Sequence, residues 1–144
     1  MHRKVAAALV AALALAVASC GGSEPQLTRA ELVRRIEVAC REARTAMAKA
    51  GREHRESNSF VTIVSNGQHM VMDKIGNLNP PPAAKADFEA MKSSMQQRLE
   101  LVDKVKNADR AAVDKTLREV QPTVEAASRR VQELQRRLGI EGCF

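Results

Sequence analysis

Apolar residues recur at helical spacing through most of the chain beyond residue 27. In the first such segment the apolar positions are Leu32, Ile36, Cys40, Ala43, Met47 and Ala50. A later segment has them at Phe88, Met91, Met95, Leu99, Val102 and Val105. The last segment is the most regular, with Val113, Leu117, Val120, Val124, Ala127, Val131, Leu134 and Leu138. Because steps of three and four residues keep side chains on one face of a helix, each segment predicts an amphipathic helix.

Residues that start and stop helices stand at the ends of these segments. Thr28 and Glu31 have the spacing of a capping box, in which two side chains satisfy free backbone N–H groups. Gly139 follows the last apolar run and predicts a left-handed helix stop. Asp109 precedes that run and predicts its cap, whereas Gly51 predicts the end, or a weak point, of the first helix.

The segment 60–78 fits two different structures. Its apolar positions have helical spacing, but two β-prone runs separated by Asn66 and Gly67 would also form a hairpin over 60–72. We favour the helix, because a lone hairpin attached to helices would need a packing surface of its own. Three prolines, at 80–82, then force an extended break in the chain.

These elements together predict an all-α fold, an antiparallel four-helix bundle with short connections. The alternative fold is three helices plus a β-hairpin at 60–72. Pro122 lies inside the last apolar run, and the apolar phase continues beyond it. We therefore expect one kinked helix at this position rather than two helices.

The N-terminus has a different pattern from the rest of the chain. Arg3 and Lys4 precede an unbroken apolar run of 14 residues, 5–18. A membrane-spanning helix needs about 20 apolar residues. The shorter run after a charged start is typical of a cleaved signal peptide rather than of a permanent span.

The end of this run, Val17-Ala18-Ser19-Cys20, resembles the lipobox of bacterial lipoproteins. The resemblance implies cleavage before Cys20 and a diacylglycerol thioether on that cysteine, with acyl chains such as palmitate. Two acyl chains hold a protein at a membrane where one holds it only marginally. We therefore expect lipid anchoring at the extracytoplasmic face of the cell membrane. An ordinary secretory signal with an incidental cysteine is the alternative.

The lipobox divides the chain into a signal peptide (1–19), a lipidated cysteine with a short linker (20–27) and a helical bundle domain (28–144). Two of the 23 Lys and Arg residues lie in the signal peptide, which leaves 21 against 17 Asp and Glu residues. This balance is only mildly basic, and the chain has no Trp or Tyr on which bases could stack. We expect no nucleic-acid partner. The expected partners are the membrane, through the anchor, and an envelope protein or ligand of unknown identity.

Cysteine usage fits an oxidising compartment. If Cys20 carries the lipid, two cysteines remain, Cys40 and Cys143, and an even count outside the cytoplasm favours a disulfide. The alternatives are a reactive thiol pair or metal ligands. Neither cysteine lies in a CxxC motif or beside a histidine, so we favour the structural bridge.

Motifs of catalysis are absent from the sequence. The chain after the signal peptide has no GxSxG, HExxH, Walker or Rossmann pattern. General acid–base catalysis needs a positioned histidine or carboxylate. The carboxylates of this chain are scattered among Lys and Arg and are more typical of solvated charges, at Glu42, Asp103, Asp114 and Glu133. We predict that the protein is not an enzyme.

One set of residues suits a metal. Imidazole nitrogen and thioether sulfur are ligands for Cu(I), and His69 stands three residues before Met72, on the same side of a helix. Met91 and Met95 share a face of the next helix and could complete a copper site. We favour the other interpretation, that these methionines fill the core, where their flexible side chains pack well.

The chain beyond the signal peptide is similar to a group of small all-helical actinobacterial lipoproteins. The matching stretches are 27–40, with its capped helix and one cysteine, 75–81, which ends in prolines, and 138–143, with its terminal Gly-Cys. This resemblance implies a helical fold with a disulfide and carries no activity. We therefore expect a non-catalytic binding or structural role in the cell envelope. The alternative is an extracytoplasmic copper-binding protein.

Overall fold

The computed structural model describes residues 25–53, 60–141 and 143. Four helices account for most of these residues: α1 (Arg29–Glu53), α2 (Phe60–Ile75), α3 (Pro82–Lys106) and α4 (Val113–Leu138). The predicted all-α class is confirmed. Residues 60–72 are helical, so the hairpin alternative is wrong. Within the described ranges, no helix is both long enough and apolar enough to cross a membrane.

Helices that are neighbours in sequence pack against each other, α1 on α2, α2 on α3 and α3 on α4. Lys74 near the end of α2 forms an ion pair with Glu42 of α1. Arg137 at the end of α4 pairs with Asp87 near the start of α3, at 2.7 Å. Short connections join the successive packed helices, which makes them antiparallel, as in a four-helix bundle. We call the end at which α1 and α3 begin the tail end, and the opposite end the far end.

The start of α1 is capped as its sequence predicts. The Thr28 N–H donates to Glu31 Oε2 at 2.8 Å, and the Glu31 N–H donates to Thr28 Oγ1 at 3.2 Å. The hydrogen bonds from Thr28 hold the pKa of the Glu31 carboxyl below its usual range. α1 continues through Gly51 to Glu53, so the glycine does not end the helix, and a weak point at Gly51 stays a prediction. A glycine costs a helix only about 1 kcal/mol relative to alanine and does not end it alone.

The start of α4 differs from its prediction. Ala112 occupies the N-cap position, and no side chain bonds to the free N–H groups of the first turn. Asp109 is therefore not the cap of α4; its carbonyl instead accepts from the Ala112 N–H at 2.7 Å and closes a separate turn. α4 then continues through Pro122 to Leu138 as one helix. The prediction of a single helix across the proline is confirmed.

The end of α4 is the left-handed stop that Gly139 predicts. Gly139 has a φ of 81°, and the Ile140 N–H donates to the Gln135 carbonyl at 2.9 Å, which is the Schellman pattern. The Arg29 guanidinium of α1 donates to the Arg137 carbonyl at 2.7 Å. A cation therefore lies at the negative end of the α4 dipole and joins the first and last helices.

The C-terminal tail lies along α1. The Glu141 N–H donates to Glu37 Oε1 at 3.1 Å, and Cys143 forms a disulfide with Cys40, with 5.3 Å between the Cα atoms. Both cysteines are buried. The predicted pairing of Cys40 with Cys143 is therefore confirmed, and the tail closes the side of the bundle between α4 and α1.

The main hydrophobic core lies toward the tail end of the bundle. Its largest fully buried side chains include Leu32, Ile36, Val71, Ile75, Phe88, Met91, Leu134 and Leu138. These residues occupy the first halves of α1 and α3 and the second halves of α2 and α4. The apolar residues at the far end pack outside this cluster, and the candidate site lies among them.

Candidate binding groove

An apolar groove of about 260 Å³ opens at the far end of the bundle, among α2, α3 and α4. We call it the groove. Its lining consists of Phe60, Val61, Val64, Val102, Val105, Leu117, Val120 and Val124. No lining side chain is a hydrogen-bond donor or acceptor, so neither water nor a polar ligand group gains a side-chain partner inside it.

Two large side chains stand at the rim of the groove in an exposed position. Phe60 is 80% exposed and Leu117 is 45% exposed. Leu117 belongs to the apolar run that predicted the last helix, and the helix does not bury it. Both residues lie in the first two turns of their helices, beyond the main core. Contiguous exposed apolar surface on a small protein is typical of an interaction site.

Six of the eight lining residues are valines. Val105 and Val120 are buried, whereas the other four valines are partly exposed. A valine side chain is short and its χ1 rotamers are restricted, so it neither fills the gap between two helices nor moves readily to close it. The valines therefore give the groove walls of fixed shape.

Four cationic residues are close in sequence to this apolar lining, although none of them lines the groove. Lys104 and Lys106 flank Val105 along α3, Arg118 follows Leu117 on α4, and Arg110 lies in the α3–α4 connection. All four cations are exposed. Within the part of the chain that the structure describes, Lys104, Arg110 and Arg118 form no ion pair.

A polar cluster joins α2 and α3 close to the groove. Ser65 Oγ donates to Asp103 Oδ1 at 2.6 Å, and His69 Nε2 lies 2.9 Å from Asp103 Oδ2. Lys106 Nζ donates to Ser65 Oγ at 3.3 Å and to Asn66 Oδ1 at 3.4 Å. Asp103 therefore accepts from two residues of α2, and it is not the solvated charge that the sequence predicted.

The geometry of this cluster gives Asp103 a structural role. Burial raises the pKa of the Asp103 carboxyl, but the hydrogen bonds from Ser65 and His69, with the positive charge of Lys106, outweigh it and leave the pKa lowered.

The same cluster does not have the arrangement of a catalytic triad. A nucleophilic serine needs a base that takes its proton. Here the imidazole faces Asp103 instead of Ser65, so the cluster lacks the serine–histidine contact of a catalytic triad.

The residues of the predicted copper site occupy different environments. Met91 and Met95 are buried in the main core, and Met72 packs partly buried against it. The His69 ring is half exposed and contacts Asp103. Met91 and Met95 therefore fill the core, as the core-packing interpretation of these methionines predicts. Among the described residues no three His, Cys, Asp or Glu side chains form a metal-binding group. A copper site with methionine ligands stays a prediction.

Cys20, the predicted lipidation site, lies outside the described residues. The arginines near the end of α4 pair with carboxylates: Arg129 with Glu125, Arg130 with Glu133, and Arg137 with Asp87. Sequence periodicity missed the groove, and the one signal for it was the succession of valines at apolar positions where longer side chains would fill the gap.

Comparison with known proteins identifies no relative. No family model matches the chain, and neither the curated proteins nor the solved structures contain a significant match.

Proposed function

We propose that this chain is a lipid-anchored, non-catalytic binding domain of the extracytoplasmic face, and that it binds an apolar ligand in the groove. The observation that carries the proposal is the groove itself, with its wholly apolar lining and the exposed Phe60 at its rim. The signal peptide and the lipobox-like Cys20 support the location. The disulfide between Cys40 and Cys143 suits an oxidising compartment.

The energetics of the groove favour an apolar occupant. Apolar surface removed from water contributes about 25 cal/mol per Å², or about 0.8 kcal/mol for each fully buried methylene. In the free protein the apolar lining of the groove faces water, and this water cannot form a hydrogen bond with any lining side chain. A ligand that displaces this water therefore gains the full hydrophobic contribution without breaking hydrogen bonds to the protein.

A neutral, environment-sensitive naphthylamine dye tests whether the groove binds apolar molecules. We expect the dye to bind the protein. We expect Leu117→Glu to weaken this binding by about tenfold, because the substitution removes apolar contact surface and a bound dye takes water away from the new carboxylate. Leu117 is already 45% exposed, so the substitution leaves the core intact. Dye fluorescence is measured in a titration with the protein.

Val38→Glu is the matched control for this experiment. Val38 is 39% exposed on α1 and does not line the groove. The substitution therefore introduces the same charge at a similarly exposed position away from the groove. We expect it to bind the dye as the unaltered protein does. Equal dye affinity of the Leu117→Glu and Val38→Glu proteins, or the absence of dye binding, would contradict the proposed function.

A further inference from the structure

A second pocket, larger than the groove, lies between α1 and the end of α2. Its volume is about 610 Å³, and it shares no lining residue with the groove. Arg34 and Arg35 of α1 line it, together with Lys74 in the last turn of α2 and Asn77 just beyond that helix. We call this pocket the cleft. Ligand sites typically have volumes of about 300–1,000 Å³, so the cleft has room for a ligand.

The charged side chains that line the cleft are mostly cationic. Three positive side chains, from two different helices, stand against one negative side chain, Asp73. Arg34 forms no ion pair within the described ranges. A guanidinium group presents several N–H donors in a plane that matches the oxygens of a phosphate, and the Lys74 ammonium and the Asn77 amide add further donors. The cleft therefore suits a phosphate-type anion.

The carboxylates near the cleft have protein partners, with one exception. Glu42 forms an ion pair with Lys74, and Glu31 accepts hydrogen bonds from the N–H and the hydroxyl of Thr28. Lys74 and Glu42 are both about half exposed, and a surface ion pair contributes little, so the lysine can also contact a ligand. The exception is Asp73, whose negative charge opposes the binding of an anion in the cleft.

The cleft lies where the chain enters the bundle. The Leu27 N–H donates to the carbonyl of Asn79, which follows the cleft residue Asn77 by two positions. Cys20, the predicted lipidation site, precedes the first described residue, Pro25, by five residues, and these span at most about 18 Å. A membrane that holds the lipid of Cys20 is therefore close to the cleft, and its phospholipid headgroups are a nearby source of phosphate.

We propose that the cleft binds the phosphate of an anionic phospholipid headgroup in the membrane that holds the anchor. Arg34 and Arg35 contact the phosphate from α1, and Lys74 contacts it from α2. Val38, which lines the cleft and is 39% exposed, contacts the glycerol carbons. The inference rests on the lipid anchor of the proposed function and is independent of the groove.

Cosedimentation with lipid vesicles tests the inference without the anchor. The protein begins at Gly21, so that it contains all the described residues, and a thermal melt verifies that it is folded. The vesicles consist of phosphatidylcholine alone or of phosphatidylcholine mixed with phosphatidylglycerol. We expect binding to the mixed, anionic vesicles only, and we expect it to weaken as salt is added, because salt screens exposed charges.

Removing cations from the cleft should weaken binding to the anionic vesicles. A basic side chain near an anionic membrane contributes about fivefold to the affinity, so Arg34→Gln together with Lys74→Gln should reduce it about twentyfold. The control is Lys104→Gln together with Lys115→Gln at the far end, which should change the affinity little. Both variants remove two exposed cations, one of which belongs to a surface ion pair.

Removing the carboxylate from the cleft should have the opposite effect. Asp73→Asn should strengthen binding to the anionic vesicles about two- to fivefold, because it removes the one negative charge from the lining. Asp109→Asn removes an exposed carboxylate from the α3–α4 connection and should leave the binding unchanged.

Each outcome decides for or against the cleft as a headgroup site. Loss of binding in the Arg34→Gln, Lys74→Gln protein, with binding retained in the control, supports it. Equal losses in both double variants would show that the whole basic surface attracts the membrane and would refute the cleft. The absence of binding to anionic vesicles would also refute it, and if glycerol phosphate then binds in calorimetry, the cleft takes a soluble phosphate instead. The dye and the acylation of Cys20 test the proposed function separately, so it does not fail with this inference.

Discussion

Asp103 carries the main contact between polar side chains of α2 and α3. Its two carboxylate oxygens contact Ser65 and His69, one turn apart on α2. Ser65 is completely buried, so its hydroxyl depends on protein partners. The carboxylate therefore fixes the alignment of the two helices next to the groove.

Replacing Asp103 with Asn should destabilise the protein by about 1–2 kcal/mol at neutral pH, because charge-assisted hydrogen bonds are lost at a partly exposed position. The pKa of Asp103 is lowered on folding, so its contribution is present above the ordinary value of 3.8 and is lost as the pH falls through the folded-state pKa. The difference between the two proteins should therefore shrink toward pH 3. Urea unfolding followed by circular dichroism at pH 7 and pH 3 measures it.

The control for this prediction is Asp109→Asn, which removes an exposed carboxylate from the α3–α4 connection. It should change stability by less than about 0.5 kcal/mol at either pH. An Asp103→Asn protein that keeps the same deficit at pH 3 and pH 7 would show that the lost contact is not that of the carboxylate.

The burial of single residues shows what could and could not be predicted from the sequence. The buried stripe that predicted Leu32 and Ile36 in the core is correct for both. The same periodicity places Leu117 on the apolar face of its helix, yet Leu117 is 45% exposed. Periodicity identifies the apolar face of a helix, but it contains no information on how far the neighbouring helix covers that face.

At the scale of the helices, local sequence signals predicted a helix end correctly where residues close in sequence form the capping hydrogen bonds. The capping box at Thr28 and the left-handed Gly139 both satisfy backbone groups within a few residues, and both predictions are confirmed. The start of α4 depends instead on the turn that closes at Ala112, which follows from how α3 and α4 meet. Packing between helices is invisible in a local motif, so Asp109 was a wrong prediction.

The disulfide joins the tail to α1, so its loss should destabilise the whole bundle. It closes a loop of 103 residues, for which native bridges typically contribute about 2–5 kcal/mol. We expect a reductant to lower the melting temperature of the unaltered protein, as measured by circular dichroism. The protein with both Cys40→Ala and Cys143→Ala should already melt at this lower temperature.

The double variant is its own control, because a reductant should not change its melting temperature further. Mass spectrometry of the unaltered protein should also give a mass two hydrogens below that of the reduced chain. Coincident melting curves with and without reductant would contradict a stabilising bridge.

At the scale of the molecule, the first described residues and the groove lie at opposite ends of the bundle. The chain enters the bundle at the tail end, where Leu27 donates its N–H to the Asn79 carbonyl at 2.9 Å. The groove lies at the far end, about 35 Å away along α3. Composition and the lipobox predicted the anchor, but the groove arises from the way three helices leave space among valines. The succession of valines is the one sequence signal for this space, and no local motif predicts it.

Cys20→Ala should release the protein from the membrane anchor. The full-length variant cannot receive the thioether, so we expect no incorporation of labelled palmitate and a shift from the detergent to the aqueous phase in detergent partitioning. Ser19→Ala keeps a small residue before the cysteine and should remain acylated. Labelling of the Cys20→Ala protein would contradict lipidation at this residue.

The bridge between Cys40 and Cys143 also determines how the domain would respond to a pulling force. A force between the two chain ends passes through the start of α1 and then through the disulfide, and it bypasses everything between them. Extending the 16 residues from Pro25 to Cys40 lengthens the molecule to about 50 Å, against about 400 Å for the reduced chain. All of α2, α3 and α4, and with them the groove, lie inside the covalent ring and outside the path of the load.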